Sequence, residues 1–238
     1  MVGRTRVLEP APWLDADEVA PPRERHHVWT AATGVEAVLA CVVVAADLAI
    51  PSLVLVAMAA LSLVVRRARW SSLGLRRWEV PWLVPKMLAF AAGWSAFQFV
   101  VTMPIANHLS GTTQDLGDFE DLEGDVRLLL TMVALGWVVG ALLEEVAYRG
   151  YLQTRLRQGL GSSMLAVIVA VAVSSALFGR VHSEQGLVGI AVVSLDGVAW
   201  SVLRYRYATL WASVLAHGFN NTIGFVVFYV VGPVYGLW

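Results

Sequence analysis

Two adjacent glutamates with an arginine four residues on, Glu144-Glu145-x-x-x-Arg149, close an apolar run that begins near Leu128. Ionisable groups at membrane depth are costly, and they mark pairing or function. On a helix, Glu145 and Arg149 are i,i+4 neighbours in the favoured order, acid before base. Glu144 points about 100° away from Glu145. One carboxylate therefore has a partner on its own helix, and the other is free for proton transfer. Two further spacings offer it partners, Phe178-x-x-x-His182 and His217-x-x-x-Asn221. Each pair shares one helix face. A free carboxylate, two imidazoles and an amide are what water activation with oxyanion stabilisation requires. Each residue also has a plainer use. A histidine at a helix end is commonly interfacial, a membrane asparagine often bonds neighbouring helices, and Glu145 with Arg149 can serve structure alone.

The elements that must position these groups are membrane helices. Apolar residues make up 58% of the 238 residues and charged ones 15%, against about 25% charged in a soluble chain. Mean hydropathy is +0.65. The single cysteine, Cys41, excludes a disulfide framework and a cysteine zinc site. Residues 1–27 hold four prolines and both charge signs without an apolar core; they read as a mobile cytoplasmic tail rather than a signal peptide. Seven apolar runs follow, at about 28–48, 51–65, 81–103, 127–158, 162–180, 187–203 and 208–231. The expected fold is an all-α, polytopic membrane helix bundle of about seven transmembrane helices. It divides into three accessory helices (28–105), an acidic non-cytoplasmic loop (106–125) and a core (126–238). Arginines cluster before the first run and after the second, fourth and sixth, which places the N-terminus inside and the C-terminus outside. Gly136 and Gly140 form a small-xxx-small pair that lets another helix approach closely.

Taken together, the three motifs resemble the signatures of the CPBP family of intramembrane proteases, which includes the type II CAAX prenyl endopeptidases and the bacterial Abi proteins. Tyr148-Arg149-Gly150-Tyr151-Leu152 and Leu210–His217 look like the family's usual flanks. Each motif alone is weak; three in order on successive membrane helices are fairly specific. The resemblance covers about residues 140–225. It implies an endopeptidase of membrane-associated or prenylated-type protein or peptide substrates, embedded in the bilayer of a bacterial plasma membrane, with no nucleic-acid partner. By that analogy Glu144 activates water with help from His182, and His217 and Asn221 stabilise the oxyanion. Glu145, Arg149 and Phe178 support the pocket. A neighbouring arginine locks a carboxylate in its charged form, so the unpaired Glu144 is the better base.

The resemblance leaves the cofactor open. Glu144, His182 and His217 could furnish a His2Glu zinc set with one open position, whereas Asn221 is a poor zinc ligand and a good oxyanion donor, which favours a glutamate-activated water. Asp196, in Leu195-Asp196-Gly197, is a carboxylate that departs from the family pattern; it either pairs with Arg180 or Arg204 or lines the cavity. Other intramembrane proteases need motifs that are absent here, such as His-Glu-x-x-His or a Gly-x-Ser-Gly nucleophile. A different class remains, a non-proteolytic binding or immunity factor, or a small transporter using the same polar cavity. A transporter would be expected to carry an internal repeat or broken helices, and neither is visible.

Overall fold

The computed structural model describes residues 23–78 and 81–237. Among them there is no strand. The principal helices are α1 (Arg23–Ala45), α2 (Pro51–Arg66), α3 (Leu83–Ser110), α4 (Val126–Leu160), α5 (Met164–Arg180), α6 (Gly186–Tyr207) and α7 (Leu210–Val231). Short 3₁₀ turns at Trp70–Leu73, Gly117–Leu122 and Ser183–Gln185 punctuate the connections. By length and apolarity, α3, α4, α7 and a span of Ser183–Tyr207 can cross a membrane, while α1, α2 and α5 offer shorter apolar segments.

Two expectations need correction. The N-terminal tail was expected to reach residue 27; residues 1–22 lie outside the described ones, but residues 23–27 are already helical. The acidic loop was expected from residue 106, yet α3 continues to Ser110. This helix survives Pro104 by opening a π-helical turn at Gln98–Thr102 just before it. Proline lacks an N–H and crowds the preceding turn, and a wider turn relieves both problems.

Helix ends follow local chemistry. Asp125 Oδ1 accepts from the backbone N–H groups of Arg127 (2.9 Å) and Leu128 (3.0 Å) at the start of α4. Ser163 caps α5 and Thr209 caps α7 in the same way. Glycines set the closest crossings. A Cβ at Gly197 of α6 would lie 2.8 Å from Ser175 Cβ on α5, and one at Gly140 would lie 2.9 Å from Asn221 Nδ2 on α7. These approaches bring α4, α5, α6 and α7 around one polar centre. Exposed Leu130, Val138, Leu165, Ile168 and Val202 cover the outward faces, as a lipid-facing surface requires.

Candidate active site

The centre is built on α4, which is not a uniform α-helix. Gly136–Leu143 and Glu145–Leu152 are π-helical. The Glu144 N–H reaches Val139 O, and the Gln153 N–H reaches Tyr148 O, both five residues back. Glu144 is the residue between the two stretches. π-Helical segments are rare and concentrate at functional sites. The widened turns invalidate the simple 100° offset between the two glutamates that an α-helix would give.

The two glutamates have different surroundings. Glu145 is fully buried, with Oε1 3.1 Å from Arg149 Nη1 and 3.0 Å from His217 Nδ1. The arginine contact is a charge pair rather than an aligned hydrogen bond. None of the three Arg149 guanidinium nitrogens has a hydrogen-bond acceptor among the described residues, nor does Glu145 Oε2 have a donor. The guanidinium lies over the Phe178 ring, 4.0 Å from its centroid. Glu144 is half-buried and has no hydrogen-bond or ion-pair partner among the described residues.

Phe178, buried at 1% exposure, is the hub around which the other groups are arranged. Its ring centroid lies 5.0 Å from those of Tyr148 and His182 and 6.0 Å from that of His217. His182 Nδ1 lies 2.8 Å from Phe178 O. A carbonyl only accepts, so Nδ1 carries the proton and the neutral ring presents Nε2 as an acceptor. His217 Nδ1 likewise donates to Glu145, because a carboxylate only accepts. The His217 ring also stacks on Trp200 (5.7 Å between centroids, 14° between planes). Asn221 donates to Gly136 O at a long 3.4 Å.

All seven residues singled out in the sequence lie on α4, α5, α7 or the α5 C-terminal turn. The direct contacts join Glu145, Arg149, Phe178, His182 and His217. Asn221 sits against Gly136 and Gly140, and Glu144 touches none of the others through a hydrogen bond. The pairing of His217 with Glu145 was not legible from the motifs, nor was Trp200. The spacing of Asp196 and Trp200, one turn apart on α6, was the available signal for a polar-aromatic face there.

Asp196 pairs with neither candidate arginine. Its Oδ1 accepts from Trp94 Nε1 (2.6 Å) and Gln98 Nε2 (2.7 Å) of α3. Arg180 bonds Ser183 Oγ (2.9 Å), and Arg204 bonds Arg149 O, Gln153 and Thr154. Trp94 in turn packs edge-on against Trp200. A zinc set fits poorly: among the described residues no three His, Cys, Asp or Glu side chains gather as a metal site.

Residues 126–223 match the family model described as type II CAAX prenyl endopeptidase Rce1-like. The matched segment runs from the start of α4 into α7 and contains every motif residue, while α1 to α3 lie outside it. No curated protein and no solved structure matches the chain.

Proposed function

We propose, with the Rce1-like match over residues 126–223 as premise, that this integral membrane protein is an intramembrane endopeptidase in which Glu144 activates water. The observation that carries this reading is the contrast between the paired Glu145 and the unpartnered Glu144 beside it. Glu144 takes a proton from water as the oxygen attacks the scissile carbonyl carbon. His182, with Nε2 as acceptor, assists in holding that water. When the C–N bond breaks, the proton returns from Glu144 to the leaving amine.

His217 and Asn221 receive the oxyanion. For His217 to donate to it, Nε2 must carry a proton in addition to Nδ1, and Glu145 is the counter-charge for that doubly protonated ring. Glu145 therefore acts as the group that orients His217, a use beyond its pair with Arg149. Trp200 keeps the imidazole in plane. An aligned donor of this kind contributes about 10²–10³ in rate.

In this reading the seven apolar helices all cross the bilayer, with the N-terminus inside. The arginines that follow α2 and those in the last turns of α4 and α6 support that topology by the positive-inside rule. The substrate class is a membrane-associated protein or peptide. The test expresses wild type and Glu144→Ala in a host membrane and compares released peptides by mass spectrometry. Peptides present only with wild type are expected; identical profiles with both proteins folded would sink the proposal.

A further inference from the structure

The segment between α2 and α3 has a composition and placement that the proposed chemistry does not use. Its large exposed side chains are arginines and tryptophans among the described residues: Arg67, Arg69 and Arg77, with Trp70, Trp78 and Trp82 at 42%, 41% and 75% exposure. The three arginine side chains have no hydrogen-bond or ion-pair partner among the described residues. Tryptophans at such exposure are costly in water and favoured at the level of lipid headgroups, where an apolar ring and an N–H are both satisfied. Unpaired guanidiniums interleaved with them complement negative charge and form bidentate bonds to phosphate.

The same segment is fastened to the catalytic helices. Leu73 is fully buried in the cluster that contains Tyr148, Tyr151 and Leu152 of α4. A Cβ on Gly150 would lie 3.5 Å from Leu73 O, so the strap backbone packs in van der Waals contact with α4 beside Arg149. Gly74 O accepts from Leu210 N (2.8 Å), and Arg76 O accepts from Thr209 Oγ1 (3.0 Å), both at the start of the helix that carries His217. Trp78 meets Trp211 edge-on (5.9 Å). Gly74 (φ +95°) and Arg67 (φ 51°) adopt left-handed backbone conformations that fold the segment back beneath α4.

We infer that residues 67–78, together with Trp82 at the start of α3, form a strap that binds the anionic phospholipid headgroups of the bilayer surface and anchors the bases of α4 and α7 to it. Charge complementarity selects the occupant: three unpaired cations with interfacial rings suit a surface of phosphodiesters, and they offer no acceptor for a cationic partner. Each arginine near an anionic surface strengthens binding about fivefold, so three together give on the order of a hundredfold.

The test uses the full-length protein in nanodiscs of phosphatidylcholine, with or without phosphatidylglycerol, and native mass spectrometry of the lipids retained on stepwise delipidation. Wild type should retain phosphatidylglycerol in preference to phosphatidylcholine, and Arg67→Gln/Arg69→Gln/Arg77→Gln should lose most of that preference. Equal retention of the two lipids by wild type would overturn the inference, as would a preference unchanged in the triple variant. Should the triple variant fail to fold, Arg69→Gln alone should still show a reduced preference, about fivefold lower; an unchanged one counts against the strap. Inorganic phosphate added at millimolar concentration should not displace the lipid. Displacement would mean that the strap reads free phosphate and would overturn the bilayer as its occupant.

Discussion

Helix α4 carries two clusters of buried charge that are satisfied in opposite ways. Near its C-terminal end, Arg155 pairs with Glu36 of α1, which also pairs with Arg66 of α2. Glu36 Oε2 accepts from Ser62 Oγ (2.7 Å), Arg155 Nε (2.8 Å) and Tyr151 Oη (3.3 Å), and Oε1 accepts from Arg66 Nη2 (2.7 Å). Arg155 further donates to Gln158 and Ser62, and Arg66 to Thr33. About two turns earlier on the same helix, Glu145 and Arg149 are more deeply buried, yet Glu145 Oε2 and the whole guanidinium lack aligned partners. A fully connected network rigidifies the structure around it, whereas a partly satisfied one at low dielectric is costly to maintain. The first cluster locks α1 and α2 to α4. The second holds unspent hydrogen-bonding capacity beside an unpaired carboxylate, which is the mark of a site that works on something else.

That comparison can be broken or sharpened by substitution. The largest effect is expected for Glu144→Gln, which removes the base but keeps the shape: peptide release should fall about 10²–10⁴-fold, while the melting temperature stays at the wild-type value. A fluorogenic peptide assay and a thermal melt on the same sample check both parts. Glu36→Gln should do the reverse. It leaves two arginines short of a counter-charge and should cost roughly 2–4 kcal/mol of stability, less than a fully buried pair because Glu36 keeps partial solvent contact. A lowered melting temperature, with turnover changed only a few-fold well below it, is the expected reading.

A smaller effect is expected at the α4–α7 crossing. Gly140→Ala would place a methyl 2.9 Å from Asn221 Nδ2, at an overpacking cost of about 1–3 kcal/mol. It should displace the amide from the oxyanion position, so kcat falls more than KM rises. Wild-type kcat and KM in this variant would show that Asn221 has no part in the chemistry. The smallest effect is expected from a strong chelator. With no three-ligand set gathered among the described residues, activity of purified protein should be unchanged; loss that zinc restores would replace the glutamate mechanism with a zinc-bound water.

The membrane helices were legible in the sequence because apolar runs and their charged flanks are local signals. Observed boundaries for α2 and α5 to α7 fall within about four residues of those runs, as such readings allow. The motif residues were legible because i,i+4 spacing puts Phe178 with His182 and Glu145 with Arg149 whatever the neighbours do. What escaped was lateral. The π-helical stretches of α4 and the close seating of Gly136 and Gly140 against Phe225 and Asn221 are features that no single-helix pattern encodes. Glu36 lay inside an apolar run, and its four partners come from α2 and α4. For Asp196, charge alone offers Arg180 and Arg204 as partners, whereas the neutral donors Trp94 and Gln98 reach it because α3 packs across α6 and α7. Likewise, only the packed bundle reveals that His217 faces Glu145 rather than Glu144.

The division of labour between the two clusters is tested most directly by one paired measurement. Turnover and melting temperature are read on the same nanodisc samples of wild type, Glu144→Gln and Glu36→Gln. A Glu144→Gln protein that melts with wild type and does not turn over, beside a Glu36→Gln protein that melts lower and still turns over, is the predicted outcome. Turnover persisting in Glu144→Gln, or lost in a Glu36→Gln protein that melts normally, would contradict it.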